Sequence, residues 1–302
     1  MLAQIKREIE REVGNYAEAF RHPPLSKLPE NYARIIESFV RRQGKRIRSV
    51  LFVVAYRAYS TRRVRYLYKS AASLELLHDF ILIHDDLIDH ASTRRGEASM
   101  HASFEAHLNG KESGRRFKGS DLALIVGDML YAMALQGFMS ISEAPERKQK
   151  ALGQLTETAV YTGCGELDEL LQTLRPLSHV EPEDIYRIYD WKTGHYTFSA
   201  PLAMGATLAG ASDSEVKKLS KIGRELGRAF QIKDDLLDLF GNGDRFGKPG
   251  LIDIKEGKKT INVWYAWNHS SASDRRELES ILAKTSPRHA DVERAAELIV
   301  AS

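Results

Sequence analysis

Two short strings hold the residues best suited to chemistry: "HDDLID" at 84–89 and "KDDLLD" at 233–238. Asp85 and Asp89 are one helical turn apart, about 40° around an ideal helix, so their carboxylates share a face. Asp234 and Asp238 repeat the arrangement. Asp86 and Asp235 sit about 100° away and can reach in as supporting or bridging groups. Like charges at this spacing destabilise a helix, and an unpaired carboxylate among apolar residues costs more. Yet the first string lies inside "HDFILIHDDLIDH". A cation must offset it. If the two helices face each other, six carboxylates converge on one cavity. Hard oxygen donors with water positions left open suit Mg²⁺ bridging to a phosphorylated substrate. A single such string is most often a solvated helix end. Two of them, both in apolar settings, point to a metal site.

Basic residues stand in matching places. "GKRIR" puts Lys45 and Arg48 on one expected helical face. "TRRGE" places Arg94 and Arg95 just beyond the first aspartate string, and "WKTG" gives Lys192 and Thr193 in an apolar helix. "GKP" supplies Lys248, and "DIKEGKKT" supplies Lys258 and Lys259. Each alone reads as surface charge, as Arg62, Arg63 and Arg65 do. Together with the carboxylates they suit phosphate binding, with arginine favoured for bidentate contacts.

The elements that must position these groups are helices. Helical periodicity dominates the 302 residues and alternating patterns are scarce. Proline- and glycine-rich breaks at 22–30, 108–121 and 241–253 read as loops, and Pro182 opens a helix with Glu183 and Asp184 in its first turn. No linker-like tract divides the chain, so the expectation is one all-α domain over 1–302. A net charge of +3 gives no electrostatic case for nucleic acid. One cysteine excludes an internal disulfide framework; Cys164 reads as small packing. The N-terminus is charged and amphipathic, without the apolar core of a signal peptide. The apolar stretch Leu122–Met139 is interrupted by Asp128 and reads as a buried helix, not a membrane span. The expected location is the cytoplasm.

The strings "GKRIR", "LELLHDFILIHDDLIDHASTRRG", "LIVGDMLYAMAL", "WKTGHYTFSAPLAMGATLAG", "GRAFQIKDDLLDLFG" and "GKPGLIDIKEGKKT" occur in the order and spacing of a known family. The chain resembles the trans-isoprenyl diphosphate synthases, or head-to-tail prenyltransferases, and is most similar in pattern to archaeal-type short-chain geranylgeranyl diphosphate synthases. The resemblance implies a helical bundle around a deep apolar cavity, a homodimer, and two substrates, an allylic diphosphate and isopentenyl diphosphate. It implies that Asp85, Asp89 and Asp234 ligate Mg²⁺, with Asp86, Asp235 and Asp238 acting directly or through water. It assigns Arg94, Lys192, Lys248 and Lys258 to the allylic diphosphate, and Lys45, Arg48, His78 and Arg95 to isopentenyl diphosphate. Thr193 and Gln231 would present oxygen dipoles to a carbocation. The chain departs from the family at Ser49, where proline is usual, and it stops at "ERAAELIVAS" where relatives commonly continue for about a helix.

Product length would be set by the cavity floor. Phe80 and Ile81 stand five and four residues before Asp85, roughly 6–8 Å deeper on a helix. Helical geometry favours Ile81 as the plug. The resemblance points at both, and a lone aromatic at the Phe80 position favours a C20 product, with C15 and C25 as alternatives. A terpene cyclase would lack "KDDLLD" and have no need of "GKRIR"; a noncatalytic partner subunit would show eroded carboxylates or lysines. His84 reads as a core or supporting histidine. Asp168 and Glu169 read as solvated, with the alternative that their helix faces the cavity.

Overall fold

The computed structural model describes residues 1–94, 96–108, 114–240 and 250–302. The described chain is helical almost throughout: α1 (Leu2–Glu18), α2 (Glu30–Val40), α3 (Ile47–Tyr59), α4 (Leu67–Ile88), α5 (Met100–Leu108), α6 (Gly119–Phe138), α7 (Pro145–Thr173), α8 (Pro182–Ile188), a π-helix (Tyr189–Ser199), α9 (Ala200–Ala209) and α10 (Asp213–Phe240). Four further helices span Ile252–Lys255, Ile261–His269, Ala272–Leu282 and His289–Ala301. A two-stranded antiparallel ribbon pairs Thr93 with Ala98 and Arg94 with Glu97. The all-α expectation holds. Contacts divide the chain into two compact units, residues 1–154 with 201–217, and residues 155–200 with 218–302.

In the first unit α4 is the central helix. It is apolar on nearly every side, as a helix surrounded by others must be, and it packs on α6, α3 and α1. Phe52, Leu76, Ile83, Leu130 and Phe138 are buried around it. Polar groups inside this core are satisfied: Ser70 Oγ donates to the Phe138 carbonyl at 2.8 Å. Ser49, the departure from the family pattern, is buried on α3, its hydroxyl shared between the Ala71 carbonyl at 2.7 Å and the Glu75 carboxylate at 2.6 Å. Of the described helices, α6 alone is long and apolar enough to cross a membrane by length and composition. It packs on α4 and α5.

The second unit closes around Val263, Ala266, Leu278, Ile281, Ala295 and Leu298, contributed by the last three helices. Lys259, read from sequence only as a neighbour of Lys258, has a different job. Its side chain is buried, and Nζ donates to the carbonyls of Gln172, Thr173 and Arg175, at 2.6 Å to Gln172 and 2.9 Å to Thr173. These carbonyls lie at and just beyond the C-terminal end of α7, where a cation is favourable. Lys259→Met, similar in length, strands them. We expect a loss of about 2 kcal/mol, read as a Tm lower by roughly 4 °C or more in a thermal melt; an unchanged Tm would refute the capping account.

Candidate active site

In the first unit, α4 delivers Asp85 and Asp86 in its last turn and ends at Ile88, with Asp89 as its cap. The Asp89 N–H donates to the Asp85 carbonyl at 2.9 Å, so both residues belong to one helical turn. The positive charge demanded by this acidic turn comes from Arg94 on the ribbon. Its Nε donates to Asp86 Oδ1 and its Nη2 to Asp85 Oδ2, both at 2.6 Å. Asp86 is 0% exposed. Burial pushes its carboxyl up to about 6 against the pull of Arg94, with Asp85 adding to the rise. Asp86 Oδ2 is buried without a hydrogen-bond partner.

His84 lies one residue before this pair. Its Nδ1 donates to the Phe80 carbonyl at 3.0 Å, and Nε2 is 3.6 Å from Asp128 on α6. The ring sits directly over Gly127, where an added Cβ would come within 2.4 Å of it. Phe80 packs edge-on to His84, with ring centres 4.6 Å apart, and lies 5.0 Å from Tyr131. Phe80 and Ile81 are both half-buried, and His78 is buried.

The expectation that Lys45 and Arg48 share a helical face is corrected. Lys45 precedes α3 and is exposed, while Arg48 is in its first turn. The break comes from Arg46, which caps α3 in the left-handed region at φ 55°. Its guanidinium turns inward to Glu10 at 3.0 Å and Glu75 at 3.3 Å. Arg46 carried no sequence signal, because its partners lie far away in the chain. Arg95 and Lys248 fall outside the described residues.

In the second unit, Lys192 and Thr193 stand on the π-helix, an element the sequence reading missed. π-helical segments are rare and cluster at functional sites. Three glycines allow it to fit. A Cβ on Gly227 of α10 would lie 2.2 Å from the Gly194 Cα, and one on Gly165 of α7 would lie 2.5 Å from the Lys192 backbone nitrogen. Lys192 Nζ is held by Glu166 at 2.7 Å and Glu169 at 2.5 Å. Lys258 Nζ is 2.6 Å from Glu256, 3.8 Å from Glu169 and 3.9 Å from Asp253. The solvated reading of Asp168 and Glu169 is therefore corrected: Glu169 lies between two lysines, and Asp168 pairs with Arg187 at 2.9 Å. Cys164 is exposed, not packed.

The second aspartate string divides its labour. Asp234 is exposed. Asp235 is 4% exposed and accepts from Gln231 Nε2 at 2.9 Å and from the Tyr189 hydroxyl. Thr193 Oγ1 donates to Gln231 Oε1 at 2.7 Å, so the two expected dipolar residues are joined. Asp238 accepts from the N–H groups of Ile252 and Asp253 at 3.2 and 3.0 Å, which caps the short helix that follows. Burial pushes Asp235 up to about 6 despite its two donors. Burial pushes Asp253 up to about 8 against Lys258, with Asp238 and Asp235 adding to the rise. Tyr189, Glu166, Glu169 and Asp253 were missed. The only available signal was their apolar or helical context.

Among the described residues, no group of three His, Cys, Asp or Glu side chains is set to hold a metal ion. The donor chemistry nevertheless fits a hard cation: carboxylate oxygens, raised carboxyls short of positive charge, and the orphaned Asp86 Oδ2. In the first unit Arg94 holds Asp85 and Asp86; in the second, neutral donors hold Asp235.

Two acidic helix segments, each accompanied by basic side chains that carboxylates hold in place, make this an all-helical protein equipped for charged ligands. More narrowly, the chain belongs to the polyprenyl synthetase family, whose model matches residues 29–299. It is 31% identical to the geranylgeranyl diphosphate synthase of Saccharolobus solfataricus over 85% of this chain and 72% of that one. It is 29% identical to the geranylfarnesyl diphosphate synthase of Aeropyrum pernix over 92% and 82%. A geranylgeranyl pyrophosphate synthase of Corynebacterium glutamicum, solved with isoprenyl diphosphate and magnesium, superposes with a TM-score of 0.86 at 25% identity, covering 100% of this chain and 87% of that one. The protein is a prenyltransferase of the short-chain trans-isoprenyl diphosphate synthase type.

Two predictions follow from the second unit. The raised carboxyls of Asp235 and Asp253 hold protons that the unfolded chain releases. Their stabilisation is therefore complete in acid and lost as pH rises through about 6 and then about 8. In EDTA, Tm should fall between pH 5.5 and 8.5, and Asp253→Asn should recover about 2 °C or more at the alkaline end. A Tm profile identical in the variant would contradict the shift. Separately, Gly227→Ala drives a methyl into Gly194 and should cost about 1–3 kcal/mol together with most of the activity. Gly153→Ala, where nothing lies within 4 Å, should leave both intact.

Proposed function

We propose that the protein condenses isopentenyl diphosphate head to tail with allylic diphosphates, depends on Mg²⁺, and releases geranylgeranyl diphosphate (C20). The observation that carries the length is Phe80. It lies one turn and one residue below Asp85 on α4, as a single aromatic beside Ile81. Farnesyl (C15) and geranylfarnesyl (C25) diphosphates are the alternative products.

Asp85, Asp89 and Asp234 would ligate Mg²⁺, with Asp86, Asp235 and Asp238 supporting them. Bound Mg²⁺ would neutralise the charge that diphosphate gains on leaving. Arg94, Lys192, Lys248 and Lys258 bind the allylic diphosphate and orient its leaving oxygen. Lys45, Arg48, His78 and Arg95 hold isopentenyl diphosphate with its double bond toward the allylic carbon. Thr193 and Gln231 turn oxygen dipoles to the developing positive charge. Apolar walls exclude water, which would quench the cation. The condensation ends with loss of a proton, for which no side chain in this set is an evident base; the departing diphosphate accepts it. The 1–302 chain acts as one catalytic domain, a homodimer in the cytoplasm. Leu124 and Ile125 of α6 are exposed apolar residues available to a second copy.

The test is elongation with labelled isopentenyl diphosphate, Mg²⁺ and each of the C5, C10 and C15 primers, followed by dephosphorylation and sizing of the alcohols. A discrete C20 alcohol is expected. Phe80→Ala should shift product beyond C20. A C15 or C25 product overturns the length; no elongation with any primer overturns the activity. Asp85→Asn should lower the rate at least about a hundredfold at saturating Mg²⁺.

A further inference from the structure

Tyr189 opens the π-helix, and its hydroxyl is buried among three elements. It donates to Asp235 on α10 and accepts the backbone N–H of Ile261 at 3.0 Å. Ile261 begins the helix that follows the Lys258-bearing segment. A backbone N–H can only donate. It therefore occupies a lone pair of the tyrosine oxygen, and with the Asp235 carboxylate ionised the hydroxyl hydrogen falls on Asp235. Gln231 donates to the other oxygen of the same carboxylate, and Thr193 donates to Gln231. Every hydrogen in this chain runs toward Asp235, and the Thr193 oxygen is left as the electron-rich free end.

We propose that Tyr189 is a positioning residue: it fixes the Asp235 carboxylate and, through Gln231, the direction in which Thr193 presents its oxygen. The inference rests on the proposed roles of Thr193, Gln231 and the second aspartate string. Nothing in the aspartate strings points to it, because Tyr189 lies 46 residues from Asp235 and acts through a side-chain bond.

The test uses the full-length protein and four variants: Tyr189→Phe, Asp235→Asn, their combination, and Ile261→Pro. Proline is compatible with the first position of a helix and removes the N–H alone, with Ile261→Ala as the side-chain control. The readouts are steady-state kinetics, Mn²⁺ affinity by electron paramagnetic resonance, and thermal melts. Tyr189→Phe should lower kcat about tenfold, leave KM for isopentenyl diphosphate within about twofold, and weaken Mn²⁺ binding several-fold. Ile261→Pro should move kcat and Mn²⁺ affinity in the same direction beyond the Ile261→Ala control. The double variant should be no worse than Asp235→Asn, because both changes break one chain. Additive penalties, or unchanged Mn²⁺ affinity in Tyr189→Phe, would overturn the proposal; so would activity that falls only with the folded fraction. If the wild type elongates nothing, the synthase reading fails, and Mn²⁺ affinity together with its coupling to Asp235 still decides the role of Tyr189.

Discussion

Everything in this structure answers to one electrostatic constraint: carboxylates set into apolar helices must be supplied with positive charge or hydrogen-bond donors. Where a cation is to hand, the structure uses it. Arg94 reaches from the ribbon to the last turn of α4 and binds two adjacent aspartates at once. Where none is, neutral donors serve, as Gln231 and Tyr189 do for Asp235. Burial works against these partners and pushes the carboxyls of Asp86, Asp235 and Asp253 up.

The lysines obey the same rule from the other side. Lys192 is held between Glu166 and Glu169, and Lys258 rests on Glu256 with Glu169 and Asp253 near by. Such ammonium groups are pointed and held in place by carboxylates. Close backbone approach makes this geometry possible. Gly165, Gly194 and Gly227 are the positions where a single methyl would push the π-helix off its neighbours.

The fold class and most of the charged residues were legible in the sequence, because aspartates at helical spacing inside apolar runs are a strong local signal. Helices were legible for the same reason: their period is written in consecutive residues. What was not legible depends on contacts between distant residues. Glu169 reads as a solvated helix residue until Lys192 and Lys258 fold against it. Lys45 was expected on a helix, and the left-handed turn at Arg46, held by Glu10 and Glu75, removed it from one. Tyr189 carried no signal in the sequence, and its hydroxyl links three elements. Local period cannot encode any of these.

Asp238 gives the chain an anchorage as well as a charge. Its carboxylate receives the N–H groups of Ile252 and Asp253, so α10 and the short helix at Ile252–Lys255 are tied through one side chain. A change that removes this carboxylate therefore loosens two elements at once: the helix that carries the second aspartate string and the short helix that leads to Lys258. The residue is a rivet, and its loss would be felt as play between two parts that each remain intact.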